Sequence, residues 1–296
     1  MTTPLISEAK TIGAFLTWAQ RSLDQSGIEN VLQEARWLVA AALGVQQHEL
    51  ISRAEQPISA EKQAHAEALI SRRMAREPIQ YILETQEFCG LDFRVTSSVL
   101  IPRPETELLV QESFREGAFA EGAVLVDVGT GSGCIAVTLA SILPGAKILA
   151  LDCSEEAMAV AKNNAERHDV SDTITFMVGD LLSPLRKANL EGKVDAILSN
   201  PPYIAEAVWA GLQPEVKDFE PRLALVAGPR GTEFHDRLLQ DAREFLVPGG
   251  LLVMELGQGQ DAPVRQAAEQ IGGYTGIQTV KDEAGIERII ILRRAG

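Results

Sequence analysis

Short apolar runs alternate with longer segments of helical spacing from residue 123 onward, and this alternation limits the folds open to the chain. Strands are predicted at 123–128, 147–151, 173–178, 194–199 and 251–256. Helices are predicted between them. One follows the first strand and runs through residue 143, and the others lie at 154–168, 232–245 and 261–271. Such alternation predicts a parallel, doubly wound α/β sheet with right-handed crossovers. The last two strands, 276–280 and 288–292, have no helix between them, which predicts antiparallel pairing.

The first eighty or so residues show helical spacing only. Helices are predicted at 11–24, 31–43, 48–53 and 59–74, with Asn30 and Ser59 as N-caps and a last helical turn from Pro78. Short connections predict a small antiparallel bundle. The basic residues around Arg73 are predicted to form a solvated helix end. Alternating residues around Gly90 predict a hairpin, so we divide the chain into a helical domain at 1–84, a hairpin linker at 85–100 and an α/β domain at 101–296.

Composition narrows the function classes. The chain of 296 residues has a net charge of -14, which disfavours a nucleic-acid partner because phosphate backbones repel an acidic surface. Its three cysteines have no metal-ligand spacing, so we expect free thiols, no metal site and a reducing compartment. We expect neither a signal peptide nor a membrane span, and therefore a cytoplasmic protein without a membrane partner.

The segment Asn200-Pro201-Pro202-Tyr203 follows the strand at 194–199. Proline at two successive positions stiffens the backbone and removes two N–H donors. The Asn200 side-chain oxygen and the Pro201 carbonyl can converge on one planar NH2 group, with Tyr203 against its flat face. These residues are candidate catalytic and substrate-binding groups for an amine or amide nitrogen, although Asn-Pro is also ordinary turn chemistry.

A glycine-rich loop, Gly129-Thr130-Gly131-Ser132-Gly133, joins the strand at 123–128 to the next helix. Its spacing fits neither the dinucleotide fingerprint nor a phosphate-binding P-loop. Asp152 ends the next strand, where a carboxylate can accept both ribose hydroxyls of a nucleoside. Asp180 ends the third strand and can accept from an adenine amino group. The set predicts a nucleoside site without a diphosphate cradle, which S-adenosylmethionine fits; the alternative is unrelated loop residues at strand ends.

With these motifs in place, the chain resembles the S-adenosylmethionine-dependent protein-glutamine methyltransferases that modify peptide chain release factors. The resemblance covers nearly the whole chain and is carried by the motifs at 101–107, 127–134, 200–203 and 220–225. It implies a Rossmann-like methyltransferase sheet preceded by a substrate-docking helical domain. It also implies that the 129–133 loop, Asp152, Asp180, Leu181 and Asn200 hold the cofactor, and that Asn200, Pro201, Pro202 and Tyr203 hold a glutamine amide.

The implied partner is the exposed glutamine of the Gly-Gly-Gln loop in release factors, and we expect a monomer. One departure concerns Leu181, since the family often has an aromatic residue there that can stack on adenine. Two alternatives remain. A nucleic-acid adenine or guanine amino-methyltransferase shares the Asn-Pro-Pro-Tyr motif but should carry a basic face. A non-catalytic binding subunit with the same fold should have lost Asn200 or the glycines.

Overall fold

The computed structural model describes residues 10–296, which divide into two compact units. One unit holds the described residues up to Glu84 together with Pro214–Phe219. The other unit holds Thr85–Gln213 and Glu220–Gly296. The six residues Pro214–Phe219 thus interrupt the second unit in sequence while they pack with the first.

The first unit is helical. Its helices are α1 (Ile12–Gln25), α2 (Val31–Leu43), α3 (Glu49–Ser52), α4 (Ala60–Met74), α5 (Ile79–Leu83) and the inserted α10, numbered by its place in the chain (Pro214–Phe219). The side chains of Thr11 and Ser59 each accept a backbone N–H three residues on, as N-caps do. Asn30 occupies the predicted N-cap position of α2, but its ψ is 46° and its side chain makes no capping hydrogen bond.

Two arginines at the end of α4, Arg73 and Arg76, do not form the solvated helix end that the sequence predicts. Arg73 is only 6% exposed. Its guanidinium donates to Glu34 on α2 at 2.6 Å and to Glu215 on α10 at 3.0 Å. Arg76 donates to the second oxygen of Glu215 at 2.7 Å. These ion pairs hold the inserted helix to the bundle, and no local pattern could reveal acidic partners so distant in sequence.

Replacing Arg73 with methionine is expected to destabilise the helical unit by about 3–5 kcal/mol, because two carboxylates would lose their buried partner. The matched control is Arg72→Met, since the side chain of Arg72 is 43% exposed in its pair with Glu77 and such a pair contributes less than about 1 kcal/mol. Hydrogen exchange of the amides of α2 and α4 measures the difference. Equal protection in the two variants would contradict a stabilising role for the buried pair.

The second unit begins with the predicted hairpin. Strands β1 (Thr85–Phe88) and β2 (Leu91–Arg94) pair antiparallel with Phe88 opposite Leu91. The two turn residues, Cys89 and Gly90, both have positive φ, 50° and 77°, as a two-residue hairpin turn of this hand requires.

A seven-stranded sheet forms the centre of the second unit, in the order β10-β11-β9-β6-β3-β4-β5. Strands β3 to β6 and β9 run parallel, and β11 pairs antiparallel with both β9 and β10. The predicted doubly wound sheet and its antiparallel end are therefore confirmed. The remaining elements are α6 (Pro104–Glu116), β3 (Val124–Val128), α7 (Cys134–Ile142), β4 (Lys147–Asp152), α8 (Glu155–Arg167), β5 (Ile174–Val178), α9 (Ser183–Lys187), β6 (Val194–Ser199), β7 (Ile204–Ala205), β8 (Val226–Gly228), α11 (Glu233–Phe245), β9 (Leu246–Glu255), α12 (Asp261–Ile271), β10 (Tyr274–Lys281) and β11 (Glu287–Arg294).

Apolar clusters cover both faces of this sheet, which explains why its central strands are continuously apolar. Strand order reverses beside β3, whose neighbours are β4 on one side and β6 on the other. The carboxyl ends of strands next to such a reversal form a crevice where α/β proteins bind ligands.

The sequence missed α9, α10 and the small parallel pair β7–β8, because each is too short for a period to show. No helix among residues 10–296 combines the length and apolar character of a membrane span.

Candidate active site

The glycine-rich loop follows β3, and hydrogen bonds fix its first residues to β3 and β4. Gly129 and Thr130 donate their backbone N–H groups to the Leu151 carbonyl at 2.8 and 2.9 Å. The buried carboxylate of Asp127 accepts from the Thr130 hydroxyl at 2.6 Å and from the first turn of α7. Burial raises the pKa of Asp127 to about 7. Gly129 and Gly131 have φ of 74° and 54°, so this tight turn depends on residues without a Cβ.

Asp152 joins the end of β4 to this loop. One carboxylate oxygen accepts the backbone N–H of Gly131 and the other accepts that of Ser154, both at 2.9 Å. A carboxylate offers about four lone-pair positions, so each oxygen keeps one position for a further donor. The α/β unit contains a cavity, and Asp152, Gly131 and Ser154 all line it. The carboxylate is therefore fixed by the backbone and still able to accept ligand hydroxyls.

The end of β5 supplies Asp180 and Leu181. The Asp180 carboxylate pairs with Arg237 at 2.5 Å and is 64% exposed. Leu181 has a positive φ of 45° and lines the cavity. Phe234, which the sequence did not single out, also lines the cavity, and the Arg237 guanidinium lies 5.7 Å from its ring centre. An aromatic ring is thus present in this part of the wall although Leu181 is aliphatic.

The Asn-Pro-Pro-Tyr segment follows β6. The Asn200 side-chain NH2 donates to the Thr106 hydroxyl on α6 at 3.0 Å. The next bond runs from the Thr106 hydroxyl to the carboxylate of Glu255, at 2.6 Å. The Tyr203 hydroxyl reaches the other oxygen of Glu255 at 3.1 Å. Asn200 lines the cavity, and its amide oxygen is the group left to accept from a ligand.

Two proline-containing motifs meet at the Glu220 carboxylate, whose side chain is 1% exposed. One oxygen accepts the Arg103 guanidinium and the other accepts the backbone N–H of Ile101 at 3.2 Å. Pro102 and Pro221, beside these residues, both line the cavity. The side chain of Arg103 remains 31% exposed. Glu220 thus ties the motif at 220–225 to the motif at 101–107, at the point where α6 begins.

Most of the predicted site residues surround one cavity. Nine line it: Gly129, Thr130, Gly131, Ser132, Asp152, Asp180, Leu181, Asn200 and Pro202. Gly133, Pro201 and Tyr203 do not line it. A Cβ at Gly133 would lie 3.1 Å from Ala161, so this glycine permits close packing of α7 on α8. Pro201 is buried, and Tyr203 directs its hydroxyl to Glu255.

The sequence missed the remaining wall. The segment Ser98-Val99-Leu100 covers the cavity on one side, and Leu223 and Ala224 contribute on another. Four of these five residues are aliphatic and Ser98 belongs to no recognised motif, so sequence alone offered no signal for them. Within residues 10–296, no cluster of three or more His, Cys, Asp or Glu side chains is arranged to hold a metal ion.

Fold and cavity together define a Rossmann-like methyltransferase. Residues 104–211 match the model of the methyltransferase small domain, and residues 14–83 match that of the PrmC N-terminal domain. A methyltransferase from Pyrococcus furiosus has a similar fold, with a TM-score of 0.52 at 21% identity, over 79% of this chain and 98% of its own. The N-terminal domain of human METTL16, solved with SAH, matches at a TM-score of 0.50 and 21% identity, over 69% and 75% of the two chains.

A relative from Geobacter sulfurreducens, named release factor glutamine methyltransferase, is 44% identical over 283 residues. The match covers 96% of this chain and 96% of the relative. Identity of this extent over both units shows that the chain belongs to the family of release factor glutamine methyltransferases.

Proposed function

We propose that this protein transfers a methyl group from S-adenosylmethionine to the side-chain amide nitrogen of the glutamine in the Gly-Gly-Gln motif of peptide chain release factors. The observation that carries the proposal is the orientation of Asn200. Its NH2 is engaged by Thr106, which leaves the amide oxygen to accept a hydrogen from an NH2 group in the cavity. The name of the Geobacter relative supplies the substrate class.

The residues of the cavity fit the proposed cofactor. The turn at Gly129 and Gly131 has no side chains that would fill the space. Asp152 keeps lone pairs for the ribose hydroxyls, and a wall with Leu181 and Phe234 suits the flat face of adenine. SAH in the complex of the METTL16 domain, which has the same fold, is consistent with this cofactor. When bound, S-adenosylmethionine supplies an electrophilic methyl group.

The chemical contribution of the chain is positioning. An amide nitrogen is a poor nucleophile because its lone pair is delocalised. Accepting a hydrogen of that nitrogen at the Asn200 side-chain oxygen, which lines the cavity, orients the lone pair toward the methyl group, and such a preorganised polar group lowers the barrier. The nitrogen becomes strongly acidic on methylation and loses its proton to solvent without a dedicated base.

The direct test supplies the purified protein with labelled S-adenosylmethionine and either a release factor, a transfer RNA mixture or double-stranded DNA. The proposal expects label in the release factor and none in the nucleic acids. Label in RNA or DNA would favour the amino-methyltransferase of nucleic acids instead. Binding of S-adenosylmethionine without transfer to any of them would favour a non-catalytic subunit.

We further propose that the helical unit docks the release factor. We propose the cytoplasm as the location of the reaction, because the proposed substrate acts in translation. A deletion of residues 1–84 is a poor test, because it would remove the residues that Glu215 contacts. Hydrogen exchange of the whole chain, with and without release factor, is the better measurement. We expect added protection in α1 to α5, and protection confined to the α/β unit would contradict docking.

A further inference from the structure

A buried carboxylate lies behind the Asn-Pro-Pro-Tyr segment. Glu255 is the last residue of β9 and is 1% exposed. It accepts the hydroxyls of Thr106 and Tyr203, one on each oxygen. Thr106 is itself 2% exposed and also contacts Asn200. Three elements, α6, β9 and the loop after β6, therefore meet in one hydrogen-bonded chain.

The chemistry of these groups sets the direction of each bond. An ionised carboxylate can only accept, so Thr106 must spend its single hydrogen on Glu255. The Thr106 oxygen then offers only a lone pair to Asn200, and an amide meets a lone pair with its NH2 side. The opposite orientation of the Asn200 amide would place two oxygens face to face without a hydrogen between them.

We propose that Thr106 and Glu255 are positioning residues that hold the Asn200 amide with its oxygen toward the substrate nitrogen. The inference rests on the proposed function and extends it from the motif itself to a threonine on α6 and a glutamate on β9. Thr106 lines the cavity and Glu255 does not, and both act through the orientation of Asn200. Their role is to make one of two nearly isosteric amide orientations the stable one.

The arrangement also implies a pH dependence. Burial raises the pKa of Glu255 from 4.5 to about 7, the neighbouring charge of Glu105 adds to the rise, and the bonds from Thr106 and Tyr203 oppose it. Arg288 on β11 also opposes the rise. On α11, His235 contacts the Glu255 backbone carbonyl, and burial lowers the pKa of this histidine, which keeps the ring neutral.

A protonated Glu255 can donate to Thr106. The Thr106 hydroxyl is then free to donate to Asn200, which meets it with the amide oxygen after a flip. The acceptor for the substrate nitrogen is lost in that state. The rate of methyl transfer is therefore expected to fall as pH drops through the pKa of Glu255 and to reach a plateau above it.

The first test compares Thr106→Val with Thr106→Ser. Valine has nearly the shape of threonine but no hydroxyl, whereas serine keeps the hydroxyl and loses a methyl. We expect valine to lower the single-turnover rate about 10–100-fold, by analogy with the loss of a partner that orients a metal ligand, while serine stays close to wild type. The dissociation constant for S-adenosylmethionine and the melting temperature, measured in parallel, separate positioning from cofactor binding and folding.

The second test is the pH profile of the single-turnover rate for Glu255→Gln and Tyr203→Phe. Glutamine does not titrate, so the acidic decline should disappear whatever the plateau rate. Phenylalanine removes a bond that lowers the pKa of Glu255, so the decline should move to higher pH. A purely structural role would change neither the shape nor the position of the profile.

Wild-type protein and Asn200→Ala are assayed beside these variants. No labelling of release factor by wild type would mean that the proposed function fails. If wild type is active and Asn200→Ala is impaired, yet Thr106→Val turns over at the wild-type rate, the positioning proposal alone is overturned. Equal impairment of the valine and serine variants would also overturn it, because packing rather than the hydroxyl would then be responsible.

Discussion

Replacing Asn200 with alanine is expected to lower the single-turnover rate of methyl transfer to release factor roughly 10²–10³-fold, the cost of losing one preorganised polar group in an active site. Cofactor binding should largely survive, because the glycine-rich loop and Asp152 are untouched. Quenched-flow measurement with saturating S-adenosylmethionine isolates the chemical step.

The control for this variant is Asn163→Ala, an exposed asparagine on α8, which should leave the rate unchanged. Asn200→Asp is a stricter comparison. Aspartate keeps an acceptor but cannot donate to Thr106, whose hydrogen already goes to Glu255. It also adds a negative charge that stabilises the cationic ground state more than the transition state. We expect slow methyl transfer by Asn200→Asp too. A wild-type rate in Asn200→Ala would refute the assignment of the loop after β6 as the site that holds the substrate amide.

Replacing Asp152 with alanine is expected to weaken S-adenosylmethionine binding by roughly 1.5–3 kcal/mol, the range for a hydrogen bond to a charged group. The carboxylate also fixes the backbone N–H of Gly131 and Ser154, so the loss of loop order adds to the loss of the ribose acceptor. Calorimetric titration of the folded variant measures the change.

Asp172→Ala is the matched control, since this aspartate is exposed and does not line the cavity. It should bind the cofactor as wild type does. An unchanged dissociation constant for Asp152→Ala would mean that the nucleoside lies elsewhere in the cavity.

Features that depend on local pattern could be predicted from the sequence. The parallel strands were recognisable because burial on both faces makes them continuously apolar. The ligand groups could be placed at one edge because parallel strands end on the same side of a sheet. The loop at Gly129–Gly133, Asp152 and Asn200 follow from that rule, and nine of the twelve predicted site residues do line one cavity.

Features that depend on distant contacts could not be predicted. Thr106 and Glu255 are 149 positions apart, so no local pattern predicts their contact. Glu255 has the position of an ordinary polar residue near the end of an apolar strand. A lone carboxylate at the carboxyl end of a buried strand was the available signal. Likewise, Arg73 resembled any basic helix end until Glu34 and Glu215 were seen against it.

The identity of the methylated atom tests the proposed function most directly. Release factor treated with S-adenosylmethionine and this protein should be digested and mapped by tandem mass spectrometry, with Asn200→Ala as the paired sample. We expect one added methyl group on the side-chain amide of the Gly-Gly-Gln glutamine, and strongly reduced methylation in the sample treated with the variant. Methylation of a different residue, or equal methylation by both proteins, would contradict the proposed function.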